Sequence, residues 1–164
     1  MKIERGGLAR ALTPEAAVAF AQGLHRDGQK VVWTRGVFDL LHPGHVRFLE
    51  QARALGDALI VDLEADASVR RRLGPRRPIN ADRDRAEVLV ALESVDVVVI
   101  TDDDARSEML RSLNPDVIVE PEPSLDDGEP VGPAGVLGGA PRVVRISVAP
   151  GYSTGALAAK VRLA

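Results

Sequence analysis

Trp33-Thr34-Arg35-Gly36-Val37-Phe38-Asp39-Leu40-Leu41-His42-Pro43-Gly44-His45 leaves an apolar β-run (Val31, Val32, Trp33), crosses a short glycine-containing turn and enters a helix. A helix start carries unpaired N–H groups and the positive end of the helix dipole, where a phosphate settles. Gly44 removes a side chain at that spot and lets an anion approach the backbone. His42 and His45 can each add a ring N–H, with a charged form reachable near neutral pH. The stretch therefore reads as a phosphate-handling site.

Upstream, Thr13-Pro14-Glu15 has the form of a helix start, with a Thr N-cap, Pro at the first helical position and an acid in the first turn. The helix runs over Glu15–Arg26. His25 near its end is expected to act as a cationic partner of the dipole. Residues 1–12 carry little signal, and residues 1–29 are expected to form a helical appendage packed on the domain formed by 30–164.

Downstream, residues 44–56 form a helix with Phe48, Leu49, Ala52 and Leu55 on one face. Ala58–Leu63 and Val95–Ile100 are nearly unbroken apolar runs, the pattern of strands covered on both faces. Between them lie a basic stretch, Arg70 to Arg77, read as a loop or short helix, and a helix over 82–92. A helix over 105–113 and a strand over Val117–Val119 follow. Residues 120–141, rich in Pro, Gly and acids, show no period and are read as an irregular loop. Arg142–Val148 is a fifth strand, and Ser153-Thr154 opens a last helix ending near Leu163.

This alternation predicts a Rossmann-like α/β fold: a doubly wound, parallel five-stranded sheet with helices on both faces. Ligands in such sheets sit outside the carboxyl ends of the strands, where strand order reverses. Both the His42/His45 turn and the Ser153/Thr154 turn fall on that edge.

Composition sets the bounds. The chain has 164 residues, 45% apolar and 27% charged, enough for one domain with a real core. A net charge of −3 argues against a general nucleic-acid binder. The absence of cysteine excludes disulfides, thiolate metal sites and a cysteine nucleophile. No membrane-spanning run or signal-peptide core is visible, so a cytoplasmic protein is expected.

Gly36-x-Phe38-Asp39-Leu40-Leu41-His42-Pro43-Gly44-His45-Val46 after a strand resembles the HxGH nucleotidyltransferase superfamily. Within it the likeness is greatest to the adenylyltransferase domains of bacterial ADP-heptose synthases, then to glycerol-3-phosphate cytidylyltransferases. Asp66-Ala67-Ser68-Val69-Arg70, Arg77-Pro78-Ile79, Asp84-Arg85-Ala86 and Pro150-Gly151-Tyr152-Ser153-Thr154 fall in register with it. The resemblance implies transfer of a nucleotidyl group, AMP rather than CMP, from a triphosphate to a sugar phosphate or similar small phosphate, with release of pyrophosphate. It implies that His42 and His45 are catalytic. Arg35, Gly36, Val37, Phe38, Gly44, Tyr152, Ser153 and Thr154 would bind the nucleotide and its phosphates. Asp66, Arg72, Arg76, Arg77 and Arg85 would bind the acceptor, Arg85 through its phosphate. Mg²⁺ would be held mainly by the nucleotide phosphates, with no metal ligand from the protein. A homodimer is expected, with no nucleic-acid or membrane partner.

At five places the chain departs from the family pattern. Arg35 stands where Asn is usual, and Leu73 where a lysine reaches the triphosphate. Asp62-Leu63-Glu64-Ala65-Asp66 replaces Gly-Leu-Asn-Ser-Asp. Glu120-Pro121-Glu122-Pro123-Ser124 replaces Lys-Gly-Gly-Asp-Tyr, and Gly155 replaces a Thr. Loss of one donor aimed at the reacting phosphate costs roughly 3–4 kcal/mol in barrier. Three readings therefore stay open: an active transferase, a relative that binds a nucleotide without turning it over, and an enzyme running another reaction at the same phosphate site. Asp39 either orients a histidine or caps the turn.

Overall fold

The computed structural model describes residues 10–122, 125, 141–148 and 151–162. Among them the strands are β1 (Arg10–Leu12), β2 (Val31–Gly36), β3 (Ala58–Glu64), β4 (Val97–Thr101), β5 (Val117–Glu122) and β6 (Arg142–Ser147). The helices are α1 (Pro14–Arg26), α2 (Pro43–Arg53), α3 (Asp66–Leu73), α4 (Asp82–Val90), α5 (Asp103–Leu113) and α6 (Thr154–Arg162). All strand pairs are parallel, in the order β1-β4-β3-β2-β5-β6.

Side chains alternate across a strand, so each strand feeds two cores. Val32, Leu59, Val61 and Val98 pack with Phe48, Leu49 and Ala52 of α2 and Leu89 of α4. Val31, Trp33, Ile60 and Val99 pack with Ala17, Ala21 and Leu24 of α1 and Met109, Leu110 and Leu113 of α5. All of β3 is buried, which is why its sequence is almost unbroken in apolar residues.

Two expectations are corrected. The sheet has six strands among the described residues rather than five. Arg10–Leu12, too short and mixed to announce itself, adds beside Val97–Val99 at the edge. Residues 120–122, read as the start of a loop, continue β5: Glu120, Pro121 and Glu122 run in register with Arg145, Ile146 and Ser147. β2 pairs with β5 only as far as Val119, so Pro121 lies where that side of β5 is open and its missing N–H leaves no ladder bond unmade. Apart from Leu125, the rest of the predicted loop up to residue 140, and Leu163 at the end of the last helix, lie outside the described residues. The basic stretch is helical through Leu73.

His25 does more than face a dipole. Its Nε2 lies 3.2 Å from Asp116 Oδ2, and the same oxygen accepts the Val31 N–H at 2.8 Å. The end of α1 is thereby tied to the starts of β2 and β5. β3 and β4 lie on one side of β2, β5 and β6 on the other, so the strand order reverses at β2 and opens a crevice at its carboxyl end.

Candidate active site

The chain leaves β2 at Gly36 and turns through Phe38, whose φ of 50° lies in the left-handed region. A bulky residue held there is strained by roughly 1–3 kcal/mol. The turn buries Phe38 against His45, with ring centroids 5.3 Å apart. It delivers His42 to the N-cap of α2 and His45 one turn in. Their rings stack at 3.9 Å. The His42 N–H donates to His45 Nδ1 at 3.3 Å. In the neutral ring that bond places the His45 proton on Nε2, making Nε2 a donor. Both rings are nearly buried, His45 completely.

Tyr152, on the turn before α6, stacks over His42 at 6.0 Å, and the Arg47 guanidinium lies 5.5 Å from the Tyr152 ring centre. Gly44 sits between them. A Cβ at this position would come 2.8 Å from Tyr152 Cβ and 3.0 Å from two atoms of the His42 ring. Glycine is thus required by close packing of the two turns. Ser153 Oγ accepts the Ala156 N–H at 3.0 Å as a helix cap, and Thr154 is buried beside it. The structure therefore brings His42, Gly44, His45, Phe38, Tyr152, Ser153 and Thr154 into one neighbourhood, where α2 and α6 begin. Alongside it, Leu41, His42, Pro43, Val46, Arg47, Glu50, Val88 and Leu92 line a cavity of about 580 Å³.

Asp39 neither orients a histidine nor caps its own turn. Its buried carboxylate accepts the Ile79 N–H at 2.8 Å, the Asn80 N–H at 2.9 Å and Arg77 Nη1 at 3.0 Å. It moors the segment after α3 to the histidine turn. Arg85 is a second brace. Fully buried, it donates to the Val37 carbonyl at 2.5 Å, the Glu64 carbonyl at 2.9 Å, Asp66 Oδ1 at 2.7 Å and the Asn80 carbonyl at 3.1 Å. Arg77, Asp66 and Arg85, expected to meet the acceptor, are thus engaged in holding the ends of β2 and β3 together. Arg76 is exposed and has no partner among the described residues.

Arg35 turns its side chain away from the histidines, across the carboxyl ends of β3 and β4. Its Nη1 lies 3.4 Å from both Asp62 Oδ2 and Thr101 Oγ1, and Nη2 lies 3.2 Å from Asp103 Oδ1. Arg35 and Asp62 are register partners. Two of the five departures from the family pattern, the Arg for Asn and the Asp for Gly, are therefore one paired change. Glu64 is compensated likewise, by Arg72 at 2.7 Å. Burial pushes the Asp62 carboxyl up to about 6, against the pull of Arg35 and a 2.6 Å hydrogen bond from Thr101. Sequence reasoning missed Thr101, Asp103 and Arg106 in this cluster. The visible signal was an aspartate inside an otherwise apolar strand.

A family profile described as Cytidylyltransferase-like matches residues 33–144. The Bifunctional protein HldE of Acidiphilium cryptum is 41% identical over 162 residues, covering 99% of this chain and 33% of the relative. That of Gluconobacter oxydans is 43% identical over 145 residues, covering 88% and 30%. The chain thus spans about a third of the length of these relatives. Among solved structures, the lipopolysaccharide core biosynthesis protein from Thermoplasma volcanium superposes with a TM-score of 0.62 at 26% identity, covering 74% of this chain and 99% of that one. Pantoate-beta-alanine ligase from Francisella tularensis, complexed with beta-gamma ATP and beta-alanine, superposes with a TM-score of 0.63 at 13% identity, covering 94% and 73%, which speaks to fold alone. No helix among the described residues is long and apolar enough to cross a membrane.

Proposed function

The chain belongs to the cytidylyltransferase-like family of nucleotidyltransferases, and from that premise we propose that it transfers AMP from ATP to a sugar phosphate, releasing pyrophosphate. The observation that carries this reading is the stacked His42–His45 pair at the mouth of α2, facing the Tyr152 turn at the point where strand order reverses. The resemblance to adenylyltransferase domains of ADP-heptose synthases makes heptose phosphate the first acceptor to test.

An oxygen of the acceptor phosphate attacks the α-phosphorus of the triphosphate, and the bond to the bridging oxygen of pyrophosphate breaks. Charge builds on the transferring oxygens, and catalysis comes from positioning and from donors aimed at that charge. His45 Nε2–H is set up as such a donor by the amide bond to Nδ1. His42 lies against it in the stack, and the first turn of α2 adds the helix-end field. Ser153 and Thr154 stand at the start of α6, where phosphate oxygens can be met a second time. A magnesium ion would enter with the triphosphate, bound mainly through phosphate oxygens and water.

The test is pyrophosphate release from ATP or CTP with heptose phosphate and other sugar phosphates, with the product identified by mass. A nucleotide-dependent product with ATP supports the reading. Binding of ATP with no pyrophosphate from any acceptor overturns it in favour of a nucleotide-binding relative without turnover.

A further inference from the structure

Three guanidiniums from three elements converge on one exposed carboxylate. Arg35 Nη2 from β2 lies 3.2 Å from Asp103 Oδ1, Arg71 Nη2 from α3 lies 3.4 Å from Oδ2, and Arg106 Nη1 from α5 lies 4.0 Å from Oδ1. Charge-assisted N–H···O bonds normally close to about 2.7–2.9 Å. Two neighbouring pairs reach that range, Arg72–Glu64 and Arg85–Asp66, both at 2.7 Å, while Arg35–Asp62 stays at 3.4 Å. Asp103 is therefore held more loosely than Glu64 and Asp66.

The guanidiniums are also under-used. Arg35 is 96% buried, with 4% of its side chain exposed, yet its Nε has no hydrogen-bond partner among the described residues; the same holds for Arg106 Nη1. Of the nearby carboxylates, Asp62 and Asp103 are the ones within reach of these guanidiniums; Glu64 is held at 2.7 Å by Arg72, and Asp102 accepts the Ala105 N–H at the start of α5. Asp103, by contrast, is 53% exposed and can swing into water; Arg71 is 61% exposed, and its Nη2 also donates to Ser68 Oγ at 2.9 Å. The cluster lies at the carboxyl ends of β2, β3 and β4, the same edge as the histidine turn and on the α5 side of the sheet.

We propose that Arg35, Arg71 and Arg106 form a phosphate-binding subsite for the acceptor, and that Asp103 occupies it until an incoming phosphate displaces it. A dianionic tetrahedral group can accept from all three forks at once, including the two N–H groups that now lack partners. This deepens the reading of the chain as acting on a phosphorylated acceptor and rests on it.

The experiment titrates the full chain with inorganic phosphate by calorimetry, without nucleotide, in wild type, Asp103→Asn and Arg71→Gln. Both substituted side chains are more than half exposed, and thermal melts check that the variants fold. The asparagine variant removes the internal competitor, so phosphate should bind at least fivefold more tightly. The glutamine variant should bind it at least fivefold more weakly. The arginine Nε–H resonances of Arg35 and Arg106 should shift on titration, while ATP binding stays within twofold of wild type in both variants. Phosphate affinities within twofold of wild type in both variants, or arginine resonances that do not move, would overturn the proposal and place any bound phosphate elsewhere. No nucleotide or turnover enters this measurement. Its failure therefore leaves nucleotidyl transfer standing, and absence of pyrophosphate release leaves the subsite standing.

Discussion

Replacing Gly44 by alanine separates the site from the fold. The added methyl would sit 2.8 Å from Tyr152 Cβ and 3.0 Å from His42 Cε1 and Nδ1. Apolar carbons rest at about 3.5–4.0 Å, so one neighbour must retreat by close to 1 Å. Overpacking of this kind costs about 1–3 kcal/mol. Ala in place of Gly in a helix returns up to about 1 kcal/mol. The net loss of stability is about 0–2 kcal/mol, a fall in melting temperature of at most about 8 °C for a chain of this size. Activity should suffer far more. Whichever neighbour moves, the His42 ring leaves its 3.9 Å stack on His45 or Tyr152 leaves His42. A misplacement of about 1 Å can cost 10²-fold in rate, or about 2.7 kcal/mol of barrier. The assay is pyrophosphate release at saturating triphosphate beside a thermal melt of the same sample. A folded Gly44→Ala variant turning over within threefold of wild type would refute the claim that this packing positions the histidines.

Three more outcomes follow from the braces and the buried pair. Asp39→Ala strands the Ile79 and Asn80 amides and removes the carboxylate that Arg77 Nη1 meets at 3.0 Å, so urea denaturation should show a loss of roughly 2–4 kcal/mol. Arg85→Gln takes the guanidinium away from Asp66 and three carbonyls and should lower the melting temperature on the order of 10 °C; an unchanged melt with a raised KM for the acceptor would show instead that Arg85 faces substrate. Asp62 titrates near pH 6 in the fold against an ordinary value of 3.8, so the folded state holds its proton more tightly. Its contribution is fully present below about pH 4 and is lost as pH rises through 6. Stability relative to Asp62→Asn should therefore shift in favour of wild type by about 3 kcal/mol from pH 7.5 to pH 4, read by denaturation at each pH. A pH-independent difference would mean that Arg35 keeps Asp62 ionised throughout.

Several features were legible because their cause is local. Period-2 alternation cannot be seen in β3, but a run from Ala58 to Leu63 apolar at every residue except Asp62 has few homes other than a strand covered on both faces. Thr13-Pro14-Glu15 announced a helix start because capping chemistry acts over three residues, and the Thr13 hydroxyl does accept the Ala16 N–H. β1 was not legible: three residues recruited to an edge owe their conformation to Val97–Val99, not to themselves. The β5 extension through Pro121 was hidden for the same reason, because the pairing with β6 overrides a proline-and-acid sequence that reads as loop.

The sequence by itself determined where the histidine turn lies and that it leads from a strand into a helix, since glycine placement, histidine spacing and helix-end electrostatics are all written within a dozen residues. Only the tertiary structure decided what the arginines do. A guanidinium reaches far from its backbone, and whether it faces a ligand or a carbonyl depends on which strand ends and helix starts the fold sets beside it. Hence Arg85, expected at a substrate, is a buried brace, and Arg35, expected beside the nucleotide, turns the other way to join Asp62 and Asp103.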